Sequence, residues 1–265
     1  MWSEEERLDI LEEELEELKN NVDLVKFMMM NQYLDSNKNF CPICGNISEF
    51  ISFGKPERKN VRCTHCRSVE RHRMVWLFFQ KMFNKQLETK NMSVMHFAPE
   101  PAFYKYFSKF DNVDYYPVDL EPKSYERRNI KIRKAVDMQD IPFPDDKFDI
   151  IYASHVLEHV PDDIKAMKEL YRVLKYGGSC VLLVPLRFSL KKTIEKEEYN
   201  TPELRIKHYG QANHLRRYGI DFKDRLESVG FKVTAFDEGD VVATDIERKF
   251  YRTGRNRIFL CKKEL

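Results

Sequence analysis

Residues 148–160 run Phe148-Asp-Ile-Ile-Tyr-Ala-Ser-His155-Val-Leu-Glu158-His159-Val160. The opening part, apolar apart from Asp149 and rich in β-branched and aromatic side chains, has the pattern of a strand covered on both faces. Ser154 and His155 close it, a helix is predicted over 161–174, and 180–184 is strongly apolar again. Upstream, strands at 93–98 and 113–119 flank a helix at 101–110, and a third short strand ends at Val136. Downstream, a helix at 220–229 precedes strands at 231–236 and 257–261. This alternation predicts an α/β domain with a mostly parallel sheet wrapped by helices. Ligands in such sheets sit beyond the carboxyl ends of the strands, so the residues that follow each strand are where chemistry is expected.

With 265 residues and 31.8 kDa, the chain has room for one such domain of about 150–200 residues plus attachments. Its 42% hydrophobic and 33% charged content excludes a disordered chain and a membrane one, and no window reaches the ~18 apolar residues of a spanning helix. The acidic beginning, Glu4, Glu5 and Glu6, is unlike a secretory or transit signal, so a cytoplasmic protein without membrane contact is expected. The net charge of +2 conceals three regions. Residues 1–40 hold 4 basic and 11 acidic side chains, residues 41–92 hold 10 and 4, and residues 93–265 hold 31 and 28.

In the acidic region, residues 1–36, Leu8, Leu11, Leu15, Leu18, Val22, Val25 and Met29 recur at spacings of three and four, the stripe of an amphipathic or coiled-coil helix. Ser3 and Glu6 form a capping box at its start, and a homo-oligomer through this helix is expected. In the basic region, 37–92, Cys41-Pro-Ile-Cys44 and Cys63-Thr-His-Cys66 are paired knuckles at the spacing of four-cysteine zinc sites. A closed structural zinc ion held by Cys41, Cys44, Cys63 and Cys66 is predicted, with Gly45 supplying a left-handed turn. Cys180 and Cys261 lie in apolar runs and are assigned to the core. Arg67, Arg71, His72 and Arg73 precede an apolar helix and offer either a phosphate grip or a solvated face.

At the strand ends, Asp119 is placed to accept both hydroxyls of a ribose, and Asp137 with Met138 to meet an exocyclic amine and a ring face. Together they favour an adenosine ligand. Residues 186–217, rich in Lys, Arg, Glu and Tyr, have the size of a lid, with Thr193 and Glu195 near its start and His214, Arg216, Arg217 and Tyr218 at its end. His155 and His214 are candidate general bases, and the arginines a fork for phosphate or carboxylate. His155-x-x-Glu158-His159 also matches the H-x-x-E-H pattern of an inverted zinc-protease motif, which requires a continuous helix where this stretch follows a buried strand.

The segment Asp137-Met-Gln-Asp-Ile-Pro-Phe-Pro-Asp-Asp-Lys-Phe-Asp149, the following His155-Val-Leu-Glu158-His159-Val and Glu169-Leu-Tyr-Arg-Val-Leu-Lys-Tyr-Gly177-Gly178 resemble the class I S-adenosylmethionine-dependent methyltransferases over residues 93–262. His96-Phe-Ala-Pro-Glu100-Pro101 and Tyr209-Gly-Gln-Ala-Asn-His214-Leu-Arg216-Arg217-Tyr218 resemble a bacterial group with a four-cysteine zinc module in front, often associated with surface-glycan modification. The resemblance implies a Rossmann-like seven-stranded methyltransferase sheet at 93–265, preceded by the helix and a small zinc-ribbon-like module. It implies S-adenosylmethionine as cofactor, held by Phe97, Ala98, Glu100, Asp119, Asp137, Met138 and Ser154. Where that family has Gly-x-Gly-x-Gly, this chain has Phe97-Ala98-Pro99-Glu100-Pro101 without glycine, so contacts there are expected to differ, Glu100 being placed to meet the cofactor's ammonium. The acceptor implied is small, such as the oxygen of a sugar, a nucleotide-linked sugar or a phosphate-bearing precursor. An RNA base methyltransferase targeted by the basic module and a non-catalytic scaffold are the competing expectations, with nucleic acid disfavoured by the balanced charge of residues 93–265.

Overall fold

The computed structural model describes residues 38–54, 57–242 and 256–264, so the expected heptad helix at 1–36 lies outside the described residues. The chain divides between Arg73 and Met74 into two compact units. In the first, β1 (Asn39–Phe40) pairs with β2 (Ile47–Ser48) and β3 (Ile51–Phe53) with β4 (Arg58–Arg62), both antiparallel. Two matching turns hold the cysteines. Gly45 N–H donates to the Cys41 carbonyl at 2.8 Å and Arg67 N–H to that of Cys63 at 3.1 Å, while Cys41 N–H and Cys63 N–H each donate to a carbonyl five residues on, at 2.9 Å. The residue after each second cysteine is left-handed, Gly45 at φ +70° as expected and Arg67 at +63° without a glycine. Arg73 is not a phosphate grip. It is fully buried, donates to the carbonyls of Ser68 and Val61, and lies 4.6 Å above the Phe50 ring.

The two units part after Arg73, within the linking helix expected before residue 92. Helix α1 (Glu70–Met82) starts in the first unit, but its apolar second half, Met74, Val75, Phe78 and Phe79, belongs to the core of the second. There follow α2 (Asn84–Thr89), β5 (Met92–Phe97), α3 (Pro101–Phe107), β6 (Val113–Asp119), a 3-10 turn (Pro122–Arg128), β7 (Lys134–Ala135) and β8 (Phe148–Ser154). A second 3-10 turn (Leu157–His159) leads to α4 (Asp163–Val173), β9 (Leu174–Leu183), α5 (Pro202–Tyr209), α6 (Phe222–Glu227), β10 (Lys232–Phe236), α7 (Glu238–Val241) and β11 (Ile258–Lys262). Among the described residues, no helix is long and apolar enough to cross a membrane.

Seven strands form one mixed sheet in the order β10-β11-β9-β8-β5-β6-β7. β9 through β7 are parallel, and β11 enters antiparallel between β9 and β10. Alternation along the strands explains the near-continuous apolar runs. Val94, Ile150, Tyr152, Val181, Leu183, Ile258 and Leu260 face one core with α1 and α3, whereas Met95, Phe97, Ile151, Ala153, Leu182, Phe259, Cys180 and Cys261 face the other with α4 and α6. Strand β9 starts earlier than the apolar run at 180 suggests, directly at the end of α4, and passes through Gly177 and Gly178 with a register shift against β8. A side chain at 178 would place its Cβ 2.7 Å from the Lys175 carbonyl oxygen, which is why glycine stands there.

At the amino ends of the central strands, Asp149 accepts from the N–H and hydroxyl of Ser93 on β5 and from Lys175 on β9, each at 2.8 Å. Burial raises its pKa, but these donors outweigh burial and hold the carboxyl below its ordinary range. A depressed carboxylate contributes stability above the unfolded value of about 3.9 and loses it as pH falls through the folded one. Asp149→Asn should therefore lower the urea midpoint at neutral pH, with the gap to the parent closing as the pH is taken down from about 5 toward 3. A gap that stays constant over that range would show that the carboxylate charge is not the stabilising element.

Candidate active site at the sheet edge

Strand order reverses between β5 and β8, and the crevice beyond their carboxyl ends is where this topology admits a ligand. A cavity of about 300 Å³ lies there, lined by Phe97 and Ala98 from β5, Asp119 and Leu120 from β6, Val136 to Gln139 after β7, and His155, Val156 and His159 to Pro161 after β8. Asp119 and Asp137, which come from neighbouring strand ends, thus share one hollow with Met138. Asp119 accepts from the Tyr125 hydroxyl and the Glu121 N–H, each at 2.8 Å, which fixes the carboxylate and leaves each oxygen a lone pair for a ligand. Asp137 accepts from Gln139 N–H at 2.8 Å. Leu120, which the sequence reading did not single out, is 64% exposed at the rim and offers an apolar surface to a flat ring. Gln139 was also missed; its side-chain oxygen accepts from Asp162 N–H and so ties one wall to the start of α4.

The two residues that close β5 and β8 share a feature. Ala98 and His155 have φ of +50° and +57°, and their N–H groups continue the parallel ladder to Val118 and Leu183. Left-handed backbone in non-glycine residues concentrates at ligand sites, where surrounding structure enforces it. Ala98 thus takes the conformation for which a glycine turn would be used, and its small side chain leaves the backbone open to the cavity. Glu100 does not line the cavity. It meets His96 Nε2 at 3.0 Å, and His96 in turn meets the Tyr115 hydroxyl at 2.9 Å. Ser154 is buried behind the lining, its hydroxyl without a hydrogen-bond partner.

Beyond β8, His155 Nδ1 lies 3.3 Å from an oxygen of Glu158, which is fully buried. Burial pushes the Glu158 carboxyl up, but the hydrogen bond and charge of His155, followed by the backbone N–H of Glu158 and then His159, take it below the usual range. His214 is buried, 4.9 Å from the His159 ring centre in an edge-on contact, and burial lowers its pKa, which favours the neutral imidazole.

None of Thr193, Glu195, Arg216, Arg217 and Tyr218 lines the cavity. Arg216 is fully buried and donates to the carbonyls of Leu157, Val160 and Pro161 and to Glu195. Tyr218 is equally buried, its hydroxyl donating to Asp163 at 2.8 Å. Thr193 N–H and hydroxyl donate to Asp221, and Arg217 pairs by backbone with Ile194 and by side chain with the His208 carbonyl. Arg216 thus holds the insertion to the segment after β8, while the bonds of Arg217 stay within the insertion. The large number of carbonyls around Arg216 carries no sequence signature, which is why the buried role was not foreseen.

In the first unit the four sulfurs converge. Cys41 and Cys66 Sγ are 3.5 Å apart and Cys44 and Cys63 Sγ 3.8 Å, close to the roughly 3.8 Å edge of a tetrahedron with metal–sulfur bonds of about 2.3 Å. A hydrogen bond from Cys41 pulls the Cys66 thiol down to about 4, while the same contact and burial raise Cys41.

Residues 101–182 match the family described as a methyltransferase domain. Within those bounds the chain is similar to that family. Its fold is the Rossmann-like fold of these proteins with a seven-stranded mixed sheet. Sterol 4-C-methyltransferase strm-1 of Caenorhabditis elegans is 37% identical over 81 residues, 31% of this chain and 21% of that protein. A demethylmenaquinone methyltransferase of Staphylococcus carnosus is 40% identical over 63 residues, 24% of this chain and 26% of the relative. The chain therefore spans only 21% to 26% of the length of these curated relatives. The crystal structure of the (4+2)-cyclase SpnF superposes with a TM-score of 0.52 at 12% identity, covering 75% of this chain and 83% of that one, a likeness of fold alone.

Replacing Arg216 by Ala would leave the buried carbonyls of Leu157, Val160 and Pro161 without their donor while Asp163 keeps Arg225, a loss of about 3–5 kcal/mol in urea unfolding. Arg216→Lys should recover only part of it, since an ammonium cannot serve the same planar array. An Ala variant as stable as the parent would show that the clamp is not structural.

Proposed function

We propose that this chain is an S-adenosylmethionine-dependent methyltransferase that acts on an oxygen of a small polar acceptor, such as a sugar, a nucleotide-linked sugar or a phosphate-bearing precursor. The observation that carries the cofactor reading is the shared hollow of Asp119, Asp137 and Met138 beside the left-handed turn at Ala98. S-adenosylmethionine supplies an activated methyl group for in-line displacement. Asp119 has the geometry to accept two ribose hydroxyls, Asp137 to accept from an exocyclic amine, and Met138 with Leu120 to sandwich a base. His155 at the cavity wall takes the acceptor's hydroxyl proton, with Glu158 at 3.3 Å stabilising the imidazolium that forms. The oxygen acceptor rests on the resemblance to glycan-modifying proteins. The curated relatives named above are by title a carbon methyltransferase of sterols and a demethylmenaquinone methyltransferase, so a carbon acceptor is the competing reading.

Zinc in the four-cysteine cluster is the second part of this proposal, supported by the near-tetrahedral sulfur spacing. It would supply folding energy to a unit whose apolar cluster, among the described residues, gathers Phe50 and Ile43 around the cysteines. The burial of Arg73 removes one of the basic side chains that an RNA-binding surface would need, which disfavours an RNA substrate.

Isothermal titration with S-adenosylhomocysteine tests the cofactor site. Binding is expected in the parent, and Asp119→Ala should weaken it at least about tenfold, or about 1.4 kcal/mol. Absence of heat in the parent, or an unaltered Kd in that variant, sinks the assignment. With labelled cofactor, His155→Ala should slow transfer to a hydroxyl acceptor while leaving cofactor affinity near that of the parent. Removal of zinc by a chelator should release one equivalent and abolish protease resistance of residues 38–73, and Cys63→Ser should reproduce that state.

A further inference from the structure

We propose, on the nucleoside reading above, that Gln139 is the positioning residue that makes the cavity select a purine bearing an exocyclic amine. Gln139 lines the cavity and bridges two of its walls. Its side chain meets the Asp162 N–H at 2.9 Å on one side and both oxygens of Asp137, at 3.2 and 3.3 Å, on the other. A backbone N–H only donates, so the amide oxygen must face Asp162 and the NH2 group must face Asp137. Turned over, the same amide would set its oxygen against a carboxylate, and the start of α4 prevents that. Asp162 is itself fixed as the cap of that helix, its carboxylate accepting from the Lys165 N–H at 2.9 Å.

Free lone pairs then decide what each acid can accept, since a carboxylate oxygen offers about two. Asp137 Oδ1 already receives the Gln139 N–H at 2.8 Å and the side-chain NH2, whereas Oδ2 receives the NH2 alone and keeps one lone pair for a guest. Asp119 differs. Its Oδ1 takes the Glu121 N–H and its Oδ2 the Tyr125 hydroxyl, so one lone pair remains on each oxygen. Two acceptors on one carboxylate suit a pair of ribose hydroxyls, and a single one on the other suits one N–H of an amine. Gln139 thus does for the base what Tyr125 does for the sugar: it stops the carboxylate from turning, and the acceptor is oriented before the ligand arrives. A ring without the amine would leave Asp137 Oδ2 short of a donor, the unpaired polar group from which such sites draw their selectivity.

Isothermal titration of the full chain with S-adenosylhomocysteine, and with its analogue carrying hydrogen in place of the 6-amino group, decides the matter. The parent should prefer the amine at least about tenfold. Gln139→Leu should reduce that preference to about threefold or less, whereas Tyr125→Phe should weaken both ligands alike and keep the parent's preference. A merely structural Gln139 would lower both affinities together and leave the preference untouched. In the unaltered protein, the side-chain amide resonances of Gln139 should shift further at saturation with S-adenosylhomocysteine than with the analogue, a readout that needs no variant. Gln139 is not the selector if the parent binds both ligands equally, if Gln139→Leu keeps the parent's preference, if Tyr125→Phe removes it as well, or if the two ligands shift the amide equally; the cofactor site stands in each of these cases. A parent that binds no S-adenosylhomocysteine sinks the cofactor reading, and the role of Gln139 with it.

Discussion

A guanidinium with no access to water organises the functional end of this molecule. Arg216 reaches under the turn that follows β8 and gathers three of its carbonyls, while Asp163 at the start of α4 and Glu195 from the insertion supply negative charge. Backbone carbonyls at a strand-to-helix turn have no ladder partners, and a planar cation with five donors is the one side chain able to serve several at once. The same contact brings His214 beside His159 and Glu158 and determines where Val160 and Pro161 stand in the cavity wall. Arg225 adds a second guanidinium on Asp163, so the buried acid is shared between the insertion and α6.

The fold was legible because a sheet covered on both faces writes itself as apolar runs. Strands at 93–98, 113–119 and 148–153 fall within a residue or so of β5, β6 and β8. The reading was poorest where tertiary contacts override local pattern. Residues 174–179 contain lysine, tyrosine and two glycines and look like a turn, yet they pair in β9 because the edge of β8 and the final strand lie alongside. Helix α1 looks like a linker in sequence, and only the packing of Phe78 and Phe79 against the sheet shows which unit its second half belongs to.

The candidate site divides in the same way. Asp119, Asp137, Met138 and His155 were accessible to strand-end logic, since topology alone carries their positions to one crevice. Charged residues of the insertion were not. A surface arginine and a buried one are identical letters, and nothing in the local pattern around Arg216 or Tyr218 states that each meets a partner far along the chain. Glu100 illustrates a third case, in which a residue read for its charge also meets a neighbour that the spacing does not announce, here the imidazole of His96 four residues earlier.

The left-handed alanine at the end of β5 has a thermodynamic side. Glycine at that position would settle into the same geometry without strain but would enlarge the ensemble of disordered chains, whereas alanine narrows that ensemble and holds the turn in one shape before anything docks. Less freedom is then surrendered when a nucleoside arrives, and the entropic toll of loading falls on the guest more than on its host.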